Sequence, residues 1–119
     1  MTTTSTHGWT GVCRLQDLLP DTGIRALVAG VQVAVFRIAD QDRLFALSAI
    51  DPFSDAAVLS RGIVGDIGGD VVVTSPIFKQ HFRLADGVCV EDDSVRIPVF
   101  AVRLVADVVE VSVDPVEAA

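Results

Sequence analysis

The chain has 119 residues, a formal net charge of −7 and a composition that is half apolar, with six Phe, one Trp and no Tyr. That length encloses one modest core. The acidic balance excludes nucleic acid as the expected partner, because binding to phosphates rests on Lys and Arg. The longest apolar run, 26–38, is interrupted by Gly30, Gln32 and Arg37, short of the roughly 18–20 residues that cross a bilayer. Residues 1–8 are Thr-rich and carry neither the basic nor the apolar region of a secretory signal, so they are expected to be a disordered tail. A cytoplasmic protein with no membrane partner is the expectation.

Valine, stiff at χ1 and suited to pleated surfaces, is abundant enough to favour strands. A short apolar run at 9–14 precedes the turn-rich Leu18-Leu19-Pro20-Asp21-Thr22-Gly23. Runs at 24–29 and 31–38 flank Gly30. In the second, Val31, Val33 and Val35 alternate with Gln32, Ala34 and Phe36, a period of two that predicts a strand with one wet face. A polar turn at 39–43 leads to a further strand at 44–50. The pattern then breaks: 51–70 contains Pro52, Gly62, Gly65, Gly68 and Gly69 with no clean period, and is expected to be irregular. Long irregular segments inside compact domains are usually functional. A β run at 71–74 ends at Ser75-Pro76, and 82–84 leads into the turn Ala85-Asp86-Gly87. Short strands at 88–90, 97–104 and 108–113 complete the domain. Pro98 has no N–H to donate, which puts its strand at an edge or places Pro98 at its start. Residues 114–119 are expected to be a second loose end. The fold class is therefore all-β: a single domain over 9–113, an antiparallel β sandwich or barrel with a long excursion between 51 and 82.

That excursion carries Asp51-Pro52-Phe53 and, about twenty residues on, Ser75-Pro76-Ile77-Phe78, followed by Phe82 and Gly87. It resembles the two loops of a Rieske domain, Cys-x-His and Cys-Pro-x-His, and the prolines, the intervening apolar residues, Phe82 and Gly87 fall in register. A Rieske cluster needs two thiolates on one iron and two imidazoles on the other. The positions that the resemblance assigns to those ligands hold Asp51, Phe53, Ser75 and Phe78. Phenylalanine binds no metal, and serine and aspartate make no soft site. The remaining Cys13, Cys89, His7 and His81 lack metal-motif spacing. No metal or cofactor is expected on this chain. With Ser60-Arg61-Gly62-Ile63-Val64-Gly65-Asp66 and Lys79-Gln80-His81-Phe82, the chain is similar to the small subunits of assimilatory NAD(P)H-dependent nitrite reductases. The resemblance implies a non-catalytic subunit of an enzyme that reduces nitrite to ammonium. It also implies a large-subunit partner carrying FAD, an iron–sulfur cluster and sirohaem. A Rieske-type ferredoxin and an unrelated regulatory β domain are the alternatives.

Individual residues add expectations of their own. No Ser–His–Asp arrangement or phosphate-binding glycine pattern is present, and the four glycines of 62–69 read as turns with positive φ. Phe53 and Phe78 are expected to be buried in the space a cluster would fill. Asp51 is expected to accept loop N–H groups or to pair with Arg61. Lys79, Gln80 and His81, facing Ser54 and Asp55, form the candidate docking surface for the large subunit. Cys13 and Cys89 are expected to be free thiols, and Trp9 to cover the core or an edge.

Overall fold

The computed structural model of the protein describes residues 5, 6 and 8–113. Most of the two segments expected to be loose, 1–8 and 114–119, lies outside the described residues. Twelve strands follow one another as β1 (Ser5–Thr6), β2 (Trp9–Arg14), β3 (Thr22–Val28), β4 (Val31–Ile38), β5 (Arg43–Ser48), β6 (Ile50–Asp51), β7 (Ala56–Ala57), β8 (Ile63–Ile67), β9 (Asp70–Thr74), β10 (His81–Arg83), β11 (Val99–Val105) and β12 (Val108–Ser112). Single 3-10 turns at Leu15–Asp17, Asp40–Asp42 and Leu59–Arg61 are the helical elements among the described residues. No helix among them is long and apolar enough to cross a membrane.

Seven strands form one antiparallel sheet in the order β1-β2-β12-β11-β5-β4-β3, and β3 curls round to meet β2, so the sheet is nearly closed. The excursion contributes a three-stranded sheet, β10-β9-β8, and the small pair β6-β7. The expected all-β architecture is the observed one. Pro98 immediately precedes β11 and is exposed, and its carbonyl accepts the Ser48 N–H.

The core has two parts, and β4 stands between them. Val33 and Val35 point into the closed sheet with Leu18, Val28, Ala46, Val109 and Val111. Ala34, Phe36 and Ile38 point the other way, onto Leu59, Val73, Phe82 and Leu84 of the excursion. Each of the five β4 side chains is at most 4% exposed, so β4 has no wet face over 33–38 apart from the half-buried Arg37. The alternation of side chains holds, but the excursion covers the face expected to be wet. Burying a side chain such as Phe36 or Val35 contributes roughly 1.5–3 kcal/mol, so this strand fastens the excursion to the barrel.

The excursion is more regular than its composition suggests. β8 and β9 form a hairpin in which Ile67 faces Asp70. Its two-residue turn, Gly68-Gly69, has φ of 61° and 93°, the double positive φ that suits the twist of a tight hairpin. Val28–Val31 and Val105–Val108 are joined the same way, through Ala29-Gly30 and Ala106-Asp107, all four at positive φ. By contrast, 88–90 makes only isolated bridges, Phe82 to Cys89 and Val88 to Arg96.

Two of the glycines expected in turns do something else. Gly62 has φ −70°. A Cβ there would lie 2.5 Å from both the Thr74 carbonyl oxygen and a Val73 methyl, so close approach of two backbones requires it. Gly65 lies in β8 with nothing within 4 Å of its would-be Cβ. Gly62→Ala is therefore expected to lower stability by about 1–3 kcal/mol through forced displacement of β9. Gly65→Ala should be neutral or stabilise by up to ~1 kcal/mol, because it removes freedom from the unfolded chain only. Urea unfolding midpoints of the two variants check both signs.

Candidate functional site

Two hairpin tips, 52–55 between β6 and β7 and 76–79 between β9 and β10, project from the excursion, as do the exposed β8 and the turn after it. The pairing at their bases is alike. Asp51 faces Ala56 in the β6–β7 ladder, and the Ser75 N–H donates to the Gln80 carbonyl at 2.8 Å. Within each tip the chain follows the same course. The carbonyl of the first residue accepts the N–H four places on, Asp55 to Asp51 at 2.7 Å and Lys79 to Ser75 at 3.1 Å. The side-chain oxygen of that first residue accepts the N–H two places on, Phe53 to Asp51 Oδ1 at 2.8 Å and Ile77 to Ser75 Oγ at 3.3 Å. Proline follows the first residue in both, presetting φ for the turn. Asp55 and Lys79 close the loops with φ of 59° and 66°, a left-handed conformation that a non-glycine residue adopts at some cost.

The two loops meet through their first residues. Ser75 and Asp51 are both fully buried, and the Ser75 hydroxyl donates to Asp51 Oδ2. Burying a carboxyl group is costly unless its oxygens find donors, and here Oδ1 takes the Phe53 N–H while Oδ2 takes the Ser75 hydroxyl. Of the two expected arrangements for Asp51, acceptance of a loop N–H is present. The pairing with Arg61 is not, because Arg61 is exposed at the end of its 3-10 turn and the Ser75 hydroxyl holds the carboxylate oxygen instead.

Phe53 and Phe78 are not buried as expected. Phe78 is 55% exposed and Phe53 39% exposed. The residues buried between the loops are instead Asp51 and Ser75, which are in direct contact. Phe53 rests one side against the buried Phe82, with ring centroids 6.2 Å apart. Phe78 stands with Ile77, itself 44% exposed, at the end of the second loop.

The residues singled out for docking have varied surroundings. The Lys79 ammonium folds back onto the Pro76 carbonyl at 3.0 Å and pairs with no carboxylate among the described residues. Asp55 is exposed. Ser54 Oγ and Gln80 Oε1 are buried atoms without a hydrogen-bond partner among the described residues. His81 is held by Glu91, whose carboxylate accepts the His81 N–H at 2.8 Å and contacts the imidazole Nδ1 at 2.5 Å. Glu91 is the residue that sequence reasoning missed; ten positions away, it carried no signal of pairing with His81. Partial burial works to raise the Glu91 carboxyl, but the hydrogen bonds from the His81 backbone and ring, helped by the ring's charge, outweigh it and hold the group below the usual carboxylate range. Cys13 and Cys89 are free. Burial pushes both thiols up, with Asp17 adding to the effect at Cys13, so neither is a reactive thiolate at neutral pH. Trp9 is half-buried at the end of β2, with the Arg103 guanidinium 4.1 Å from its ring centroid.

A near-closed barrel with an appended three-stranded sheet, presenting two matched hairpin loops joined at their bases, defines a Rieske-like domain. The family described as Rieske-like [2Fe-2S] domain matches residues 8–112. The chain belongs to that family and, within it, to the small subunits of NADH-dependent nitrite reductase. It is 45% identical over 102 residues to the nitrite reductase (NADH) small subunit of Salmonella typhimurium, covering 86% of this chain and 94% of that one. The solution structure of a nitrite reductase [NAD(P)H] small subunit from Erwinia carotovora superposes with a TM-score of 0.77 at 44% identity, over 96% of this chain and 88% of that one. The nitrite reductase [NAD(P)H] large subunit of Klebsiella oxytoca is 44% identical over 79 residues, which are 66% of this chain and 8% of that protein. The ferredoxin of carbazole 1,9a-dioxygenase from Nocardioides aromaticivorans shares the fold, with a TM-score of 0.75 at 19% identity over 86% of this chain and 94% of that one.

The family's description includes a [2Fe-2S] cluster, and the four side chains at the loops do not fit one. The inner pair, Asp51 and Ser75, already satisfy each other by a hydrogen bond, and the outer pair are phenyl rings with no donor atom. Among the described residues no group of three or more His, Cys, Asp or Glu is arranged to hold a metal ion.

Two expectations follow for the loops. Ser75→Ala leaves Asp51 Oδ2 buried without its donor, and should cost about 1–3 kcal/mol. Combined with Asp51→Ala, the loss should fall short of the sum of the single losses by roughly 1 kcal/mol, as for side chains in direct contact. A denaturation cycle of the four proteins measures this. Glu91 provides a pH signature. Its depressed carboxyl stabilises the fold at neutral pH, and that contribution is lost as pH falls through the depressed value. Because the pair is largely solvent-exposed, the effect is a few tenths of a kcal/mol, about what surface pairs contribute. Glu91→Gln should melt slightly below wild type at neutral pH and coincide with it in acid.

Proposed function

We propose that this chain is the non-catalytic small subunit of a cytoplasmic NAD(P)H-dependent nitrite reductase, in which nitrite is reduced to ammonium. In this reading the subunit acts by contact with a large subunit that carries FAD, an iron–sulfur cluster and sirohaem. The observation that carries the reading is strong likeness to nitrite reductase small subunits together with a large subunit, that of Klebsiella oxytoca, in which 79 residues are 44% identical to 66% of this chain. A sequence found both as a separate subunit and as a segment of the larger protein is suited to sit against that protein.

The donor set favours contact over electron transfer. A ferredoxin needs a redox group, and Asp51, Phe53, Ser75 and Phe78 are not the ligands of one. The likeness to the carbazole dioxygenase ferredoxin extends to fold alone. An unrelated regulatory role is disfavoured by the identity over nearly the whole domain.

The docking surface proposed for this role comprises Ser54, Asp55, Lys79, Gln80 and His81. Lys79 is a cation with no carboxylate partner among the described residues, on a chain of charge −7, so it is suited to steer the subunit toward an acidic patch. Such charges affect encounter rate and specificity more than affinity. With the large subunit from the same genome, wild-type chain should co-purify and raise nitrite-dependent NAD(P)H oxidation. Lys79→Glu should slow association about tenfold at low ionic strength and by much less at high salt, with an unchanged melting temperature. Equal on-rates at every salt concentration would remove Lys79 from the interface.

A further inference from the structure

The two phenyl rings at the outer loop positions need an account of their own. Large apolar residues scattered singly on a surface need none, but a cluster does. Here Phe53, Ile77 and Phe78 are 39%, 44% and 55% exposed, and Pro52 and Pro76 beside them are exposed as well. All five lie in two short tips whose bases are in direct contact through Asp51 and Ser75. Fold stability does not demand this arrangement, since exposed rings contribute little to the core.

The backbone holds these side chains in place. Each tip is closed by a hydrogen bond spanning four residues and by a side-chain oxygen on the residue two places on. Each ends on a non-glycine residue at positive φ. Conformations of that kind persist where surrounding contacts over-determine them, and they cluster at binding sites. Phe53 is further braced by Phe82. The result is a set of exposed apolar side chains on two adjoining tips, flanked by the exposed charged residues Asp55 and Lys79. An apolar centre rich in aromatics and surrounded by polar residues is the anatomy of a protein–protein contact.

We infer that Phe78, with its neighbour Ile77 and with Phe53 on the adjoining tip, is the anchor by which this subunit is held, inserting into an apolar socket on the nitrite reductase large subunit. The inference rests on the proposed function and adds to it the chemistry of the partner's surface and a division of labour. Lys79 governs arrival, and the rings govern departure. The occupant is the large subunit because 79 residues of a relative's large subunit are 44% identical to 66% of this chain, so sequence of this kind also occurs within that larger protein.

The test measures association and dissociation of the full chain with the co-expressed large subunit, at low and at high salt, for wild type, Phe78→Ala, Phe78→Leu, Phe53→Ala and Lys79→Glu. Phe78→Ala should raise the off-rate about tenfold or more, equally at both salt concentrations, with the on-rate and melting temperature nearly unchanged. Phe78→Leu should recover most of the loss, and Phe53→Ala should show a smaller one. An off-rate for Phe78→Ala within twofold of wild type, in a complex that still forms, would overturn the anchor and leave the proposed function standing. Failure of wild type to bind the large subunit at all would instead overturn the proposed function. Sedimentation of the isolated chain covers the remaining outcome: self-association abolished by Phe78→Ala, with large-subunit binding intact, would make a second copy the occupant and sink the inference.

Discussion

Everything distinctive about the excursion depends on one buried hydrogen bond, from the Ser75 hydroxyl to Asp51 Oδ2. A carboxyl group with no exposed surface has to be satisfied where it lies. The donors come from its own loop, through the Phe53 N–H, and from the other loop, through Ser75. That single contact joins the loop bases, while the two phenyl rings lie outside it and are exposed.

The contact in turn requires a firm base. β4 supplies it by burying Val33 and Val35 in the barrel and Ala34, Phe36 and Ile38 beneath the excursion. β9 and β10 carry the second loop, and Val73 and Phe82 from these strands belong to the same cluster as Phe36. The first loop is tied by the Leu59 N–H to the Ala49 carbonyl and by the Arg25 guanidinium to the Ala57 carbonyl. The loops are therefore parts of the packed domain, and their tips keep a defined geometry although they are exposed.

A contact role makes physical sense of substitutions that would be senseless in an electron carrier. Replacing two imidazoles by phenyl rings removes metal affinity and adds apolar area that gains nothing while exposed. Such area contributes only when another surface covers it. Replacing two thiolates by a serine and an aspartate exchanges metal bonds for a hydrogen bond that keeps the loops closed. The two-loop geometry of the fold is present with side chains that do not fit a cluster.

The sequence by itself determined that the chain is one all-β domain, because valine-rich runs with a period of two and turn residues between them have few other solutions. The paired Asp51-Pro52 and Ser75-Pro76 dipeptides, twenty-four positions apart, were enough to locate the two loops and to recognise that they lack cluster ligands. The hairpin at Gly68-Gly69 was legible too, as a two-glycine turn between apolar runs, but the density of glycine around it read as irregularity. Gly62 was misread for a different reason: a close approach to Thr74 and a need for positive φ look the same in a sequence. Only the tertiary structure decided that β4 has no wet face over 33–38, because the layer that covers its second face comes from distant residues such as Leu59, Val73, Phe82 and Leu84. It also decided whether Phe53 and Phe78 fill a gap or stand exposed, and that Asp51 and Ser75 are the residues buried between the two loops. Local pattern reports the period and the turn; what lies on the other side of a strand or a loop is set by packing between segments far apart in the chain.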